Sequence, residues 1–184
     1  MNMHLRAVIA LVFLLCPLGA LPAAAEELPK PGDTLVPLVL TAPADKAEQG
    51  YLGLAGGTPF GLKDLGAPFV LLEVIGVYCP QCHQQAPKFG QLFKRLKRSG
   101  LDKRIRMLAV AAGGTPMEVA YLKEQGAYPF PVVPDEGYVV HKLLAEPKTP
   151  FTMIVSREGE VRFAHLGVIE DVDGFFAEIK RLVE

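Results

Sequence analysis

Cys79 and Cys82 enclose two residues and are followed at once by His83 in the stretch "EVIGVYCPQCHQQAP", Glu73 to Pro87. Residue types at this spacing support two incompatible chemistries. Cys-x-x-Cys-His is a pattern for covalent haem attachment, in which the histidine binds the iron. Cys-x-x-Cys by itself is a dithiol that exchanges electrons with the sulfurs of other proteins.

The elements that must position these residues separate the two readings. "PFVLLEVIGV", Pro68 to Val77, is a nearly continuous apolar run ahead of the cysteines, which predicts a strand covered on both faces. After Cys82, the residues Phe89, Leu92, Phe93 and Leu96 recur at helical spacing and the pattern stops at Gly100, which predicts a helix. The motif is thus a strand-turn-helix junction with His83 in the first helical turn. Haem attachment belongs instead to small helical domains with a second axial ligand from elsewhere. Of the downstream methionines Met107, Met117 and Met153, the first and last fall in strand patterns and read as core.

A cysteine at a helix N-terminus faces unpaired backbone N–H groups and the positive end of the helix dipole, both of which favour the thiolate. Cys79 is therefore the expected attacking sulfur. One helical turn returns Cys82 within disulfide reach, deeper and less exposed, so Cys82 is the expected resolving sulfur. A structural disulfide is the alternative, but so short a loop gains little stability from chain entropy.

"IRMLAVAAGG", Ile105 to Gly114, predicts a second strand, and Thr115, Pro116 and Glu118 predict a helix opened by a capping box. "PFTMIVSREGEVRFAHLG" predicts a strand pair turning at Arg157 to Gly159, and "VDGFFAEIKRLVE" a last helix with Phe175, Phe176, Ile179 and Leu182 on one side. This order is an α/β pattern with a partly parallel sheet. The turn-rich segment 40–65 reads as a hairpin or lid over the sheet edge. "AGGTP" occurs at 55–59 and again at 112–116; without a following lysine it reads as turn and cap chemistry, not as a repeat or a phosphate loop.

The chain has 184 residues, half of them hydrophobic, enough for one core and one domain. A net charge of −1 gives no footprint for nucleic acid or an acidic membrane surface. The basic run "KRLKR", Lys94 to Arg98, lies where the helix turns its back to water. Arg6, the apolar run that follows it and Ala23 to Ala25 predict a secretory signal over 1–25, with domain 26–184 beyond it; an uncleaved membrane anchor is the alternative. Cys16 falls inside the signal, so Cys79 and Cys82 remain as partners in a compartment where disulfides persist.

These residues resemble the thioredoxin superfamily, and more narrowly the TlpA/ResA-type extracytoplasmic thiol-disulfide oxidoreductases, over Gly32 to Glu184. "YCPQC" is similar to the active-site motif, with Tyr78 where tryptophan is usual, and Pro87 to the proline of the active-site helix. "KTPFTMIV" resembles the strand that begins after a cis proline facing the dithiol, which makes Pro150 that proline and Thr149 its neighbour. "YPFPVVPDEGYVVHKLL" resembles the helix-and-strand insertion of the TlpA and redoxin group. The resemblance implies a thioredoxin-like α/β fold, a central mixed sheet flanked by helices with that insertion. It implies substrate contacts at Thr149, Pro150 and Tyr78, and an enzyme whose redox group is its own disulfide, with no dissociable cofactor and no metal. It further implies net reduction of a cysteine-containing secreted protein, renewal by a membrane thiol-disulfide electron donor, and a periplasmic or secreted location. Copper bound by Cys79, Cys82 and one histidine, as in related copper-delivery proteins, is a competing reading, although those proteins usually space their cysteines more widely. Peroxiredoxins carry Pro and Thr where Leu72 and Gly76 stand.

Glu73 interrupts the apolar strand six residues before Cys79, where plain thioredoxins carry a buried aspartate. A buried carboxyl resists ionisation, which brings it into a range where it takes a proton from Cys82 as that thiol becomes the nucleophile. The alternative is a carboxylate paired with a Lys or Arg. His141 and His165 read as surface or packing residues.

Overall fold

The structure is a computed structural model that describes residues 27–56 and 59–184. The predicted signal, its cleavage site and Cys16 lie outside the described residues. Among the described residues no helix is long and apolar enough to cross a membrane.

Five strands form one mixed sheet in the order β3-β2-β1-β4-β5. The central strand β1, Phe69–Ile75, pairs in parallel with β2, Ile105–Ala112, which pairs in parallel with β3, Val132–Asp135. On its other side β1 runs antiparallel to β4, Phe151–Ser156, and β4 antiparallel to β5, Val161–Leu166. The apolar runs predicted β1 and β2 closely because both strands are buried on both faces, as inner strands of a covered sheet must be.

The period-2 alternation of strands divides the core into two layers. Leu71 and Ile75 of β1 pack with Phe89, Leu92 and Leu96 of α2, Pro80–Ser99, and with Phe175 and Ile179 of the C-terminal helix, Val172–Val183. Val70, Leu72 and Val74 point to the opposite face, against Leu38, Leu40, Leu62 and Val140. Glu73 shares the parity of Leu71 and Ile75 and so enters the layer beneath α2.

Helix α2 begins at Cys79 as N-cap with Pro80 in its first turn, and ends at Gly100 in the left-handed region (φ 75°), where glycine carries no Cβ penalty. Pro87 lies inside it and removes the N–H that would bond the His83 carbonyl. The run Lys94 to Arg98 is solvated apart from Leu96, with Arg95 paired to Asp173 and stacked over Phe176. Helix α3, Pro116–Glu124, opens with the expected reciprocal capping box between Thr115 and Glu118. The insertion supplies β3 and then a short helix α4, Val139–Leu143.

Segment 40–65 differs from expectation. Leu40 and Phe60 do form an antiparallel bridge, but helix α1, Lys46–Leu52, fills the span between them. Its hidden stripe is small, with Gln49 and Leu52 buried, and Gly50 sits in its middle, so periodicity is faint. The side chain of Asp45 caps the Ala47 N–H, and Gly53 (φ 80°) ends the helix. A Cβ on Gly53 would come within 2.6 Å of the Gly66 backbone, so this turn has room for glycine alone.

Candidate functional site

The C-terminal ends of β1 and β2 and the start of β4 lie at one end of the sheet, since β4 is antiparallel to β1. Gly76 to Tyr78 leave β1 there, and the turn closes through a Cys79 N–H bond to the Gly76 carbonyl at 3.1 Å. Opposite stands Thr149, whose bond to Pro150 is cis, as the resemblance implied. Gly76 is tightly enclosed: a Cβ there would lie 3.3 Å from both the Cys79 Cβ and the Thr149 Oγ1.

Cys79 and Cys82 are both free thiols with unlike surroundings. The Cys79 Sγ accepts from the Cys82 N–H at 3.2 Å, as an N-cap side chain does, and its thiol donates to the Thr149 carbonyl at 3.3 Å. Burial opposes ionisation of Cys79, but hydrogen bonds from Cys82, Thr149 and the Cys82 and Gln81 backbone outweigh it and bring the thiol below its ordinary value. Cys82 is 1% exposed. Burial, reinforced by the neighbouring Cys79 sulfur, pushes it up to about 12. The pair therefore combines a reachable, acidic thiol with a hidden one that holds its proton.

Glu73 is fully buried. Its Oε1 accepts from Gln85 Nε2 at 2.7 Å, while Oε2 has no hydrogen-bond partner. Burial, only partly offset by Gln85, raises its pKa to about 8, and no Lys or Arg contributes. The paired-carboxylate alternative is thus replaced by a carboxyl held by a neutral amide. Gln85, also fully buried, is a site residue that sequence reasoning missed. It lies three residues after Cys82 and four before Phe89, on the same buried stripe of α2, and that polar interruption was the signal. Tyr128 adds a second buried polar neighbour: its hydroxyl donates to the Cys82 carbonyl at 3.4 Å, and burial raises its pKa, with lesser contributions from Glu73, Cys82 and Cys79.

Tyr78 is 80% exposed beside Cys79, and its hydroxyl donates to Glu118 Oε1 at 2.7 Å, which ties the active-site turn to the cap of α3. His83 is exposed in the first turn of α2. His141 Nε2 bonds the Pro147 carbonyl at 3.0 Å and His165 Nε2 the Val168 carbonyl at 3.4 Å, so both pack against loops as expected. Among the described residues no three His, Cys, Asp or Glu side chains are grouped to hold a metal ion. Met107 and Met153 are buried in the core and out of reach as axial ligands.

No protein-family model matches the chain. It is 27% identical over 126 residues to the thiol-disulfide oxidoreductase ResA of Halalkalibacterium halodurans, covering 67% of this chain and 69% of that protein. The ResA of Geobacillus kaustophilus is 26% identical over 121 residues, covering 65% and 67%. Among solved structures, the Chlorobium tepidum protein assigned as thiol:disulfide interchange protein DsbE superposes with a TM-score of 0.65 at 21% identity, covering 86% of this chain and all (100%) of that one. StoA of Bacillus subtilis superposes with a TM-score of 0.59 at 14% identity, covering 82% and 99%. The mixed sheet with its flanking helices is the thioredoxin-like fold of these neighbours. In sequence the chain is thus similar to ResA-type thiol-disulfide oxidoreductases, and in fold it is thioredoxin-like.

Proposed function

We propose that this oxidoreductase works outside the cytoplasm and reduces disulfides in cysteine-containing secreted proteins through Cys79 and Cys82. The asymmetry of the two sulfurs carries the reading: the half-buried one is stabilised as a thiolate by the helix start, and the fully buried one keeps its proton. The Cys79 thiolate attacks one sulfur of the partner's disulfide; that bond breaks, and the other partner sulfur leaves as a thiolate that takes a proton from water. Cys82 then gives its proton to Glu73 and attacks the Cys79 sulfur. The mixed disulfide breaks, the second partner thiolate leaves, and the two electrons gained by the partner are those lost in forming the Cys79–Cys82 disulfide.

Mixed-disulfide formation itself prepares the second step. Part of what holds Cys82 protonated is the hydrogen bond and charge of Cys79, and both disappear once that sulfur is bonded to the partner. Glu73, with a pKa of about 8, is then an acceptor poised near neutral pH. The half-buried Thr149 and the exposed Tyr78 flank the attacking sulfur, in position to contact the incoming peptide beside Pro150. A membrane thiol-disulfide donor restores the dithiol, and exchange between sulfurs requires no dissociable cofactor. The export signal expected from the sequence at 1–25 supports the location.

Replacing Cys82 with Ser removes the resolving step and should leave partners bound to Cys79 as adducts that dithiothreitol releases and mass spectrometry identifies. The unsubstituted chain should reduce insulin in the presence of dithiothreitol. Absence of both the adducts and insulin reduction would overturn the reading.

A further inference from the structure

The side-chain amide of Gln85 is held in one orientation. Its Oε1 accepts from the Ile169 backbone N–H at 2.8 Å, and a backbone N–H can only donate, so the other end of the amide has to be the NH2. That NH2 lies 2.7 Å from Glu73 Oε1 and 3.4 Å from Thr152 Oγ1. Thr152 pairs directly with Glu73 across β1 and β4, so both side chains enter the same layer beneath α2. The second carboxyl oxygen, Oε2, is buried and unpartnered.

We propose that Gln85 is a positioning residue of the resolving step: it commits Glu73 Oε1 to accepting a hydrogen bond and so leaves Oε2 as the oxygen that takes the proton from Cys82. This rests on the reading that Glu73 is the acceptor for Cys82. The loop after β5 sets the arrangement, because the Ile169 N–H decides which way the amide faces. Had the amide been free to flip, its carbonyl oxygen would face Glu73 Oε1 and favour the protonated acid. The titratable groups gathered here are Glu73 itself, Cys79 and Cys82 from the start of α2, and Tyr128 from the segment before β3, on which the other three all act. None of them is a cation that would do the work of Gln85.

The test follows one chemical event in the full chain. Reduced protein is loaded on Cys79 with thionitrobenzoate as a mixed disulfide, and release of the coloured thiolate by Cys82 is timed across pH. The unsubstituted chain should show a rate inflection from Glu73. Gln85→Met removes the donor to the ionised carboxylate, so the inflection should move up by about one pH unit, with roughly tenfold slower release below it. Gln85→Glu keeps an acceptor for Ile169 and places two carboxyls in contact; they share a proton, and the inflection should split, one step moving down and the other up. If Glu73→Gln abolishes the inflection while neither Gln85 variant moves it, the proposal is overturned and the Glu73 reading stands. If Glu73→Gln leaves the profile unchanged, the Glu73 reading falls and takes the proposal with it. Should Gln85→Met not fold, Gln85→Glu decides alone, and an inflection neither moved nor split overturns the proposal.

Discussion

Two sulfurs one helical turn apart behave as different functional groups because the helix start reaches one and the core encloses the other. Cys79 sits at the N-cap, where it accepts the Cys82 N–H and faces Thr149, while Cys82 lies in the layer beneath α2 with Phe89 and Ile75. Iodoacetamide applied to the reduced, folded protein should therefore modify Cys79 first, with a pH midpoint below that of an ordinary cysteine. Cys82 should resist until the protein is unfolded. Peptide mapping across pH checks both points, and equal modification of the two thiols would contradict the geometry. The sequence showed this pair by spacing alone, because a cysteine placed between an apolar strand and a helix has few other arrangements. Glu73 was legible for a similar reason: a carboxylate inside an apolar run has no route to water. Gln85 was not, since one amide among "HQQ" at the start of a helix reads as solvated unless its register with Phe89 and Leu92 is followed back to Cys82.

The turn between β1 and α2 and the segment before β4 are held at contact distance by the absence of a side chain at Gly76. A methyl group there would lie 3.3 Å from both the Cys79 Cβ and the Thr149 Oγ1, tighter than ordinary packing, and both neighbours belong to the site. Gly76→Ala should cost about 1–2 kcal/mol in urea unfolding. It should also slow insulin reduction by about tenfold or more, as the attacking sulfur and Thr149 are pushed apart. Gly50→Ala is the matched control: Gly50 lies within α1, nothing approaches its missing Cβ within 4 Å, and alanine there should be neutral or stabilising by up to ~1 kcal/mol. Equal loss of activity in the two variants would refute the claim about Gly76. The same two glycines mark where element reading succeeds and fails. Around Gly76 a buried strand and a helix with strong period leave the turn between them no freedom. Around Gly50 a helix of 7 residues hides Gln49 and Leu52, too little apolar surface to leave a period in the sequence.

At the scale of the whole molecule, a fully buried carboxyl in the central strand is a stability liability that the active site imposes on the fold. The unfolded chain releases the Glu73 proton near 4.5, whereas the folded chain holds it to about 8. Below 4.5 both states are protonated and nothing depends on pH. Between the two values the unfolded state ionises alone, so folding stability falls as pH rises, and the fall levels off above 8. At neutral pH the accumulated loss is about 3 kcal/mol, a large fraction of what a domain of this size holds in reserve. Glu73→Gln removes the titration, so its stability relative to the unsubstituted chain should grow by about 2 to 3 kcal/mol between near pH 5 and near pH 7, roughly 1 M or more in the urea midpoint. The glutamine's NH2 replaces Oε2 where no partner exists, which costs about 1–3 kcal/mol at every pH and lowers the whole curve without changing its slope. The slope difference is therefore the measurement that isolates the buried charge. Parallel urea curves for the two proteins across that range would mean that Glu73 ionises as freely in the folded chain as in the unfolded one, and its carboxylate would then be too weak a base to take the proton of Cys82.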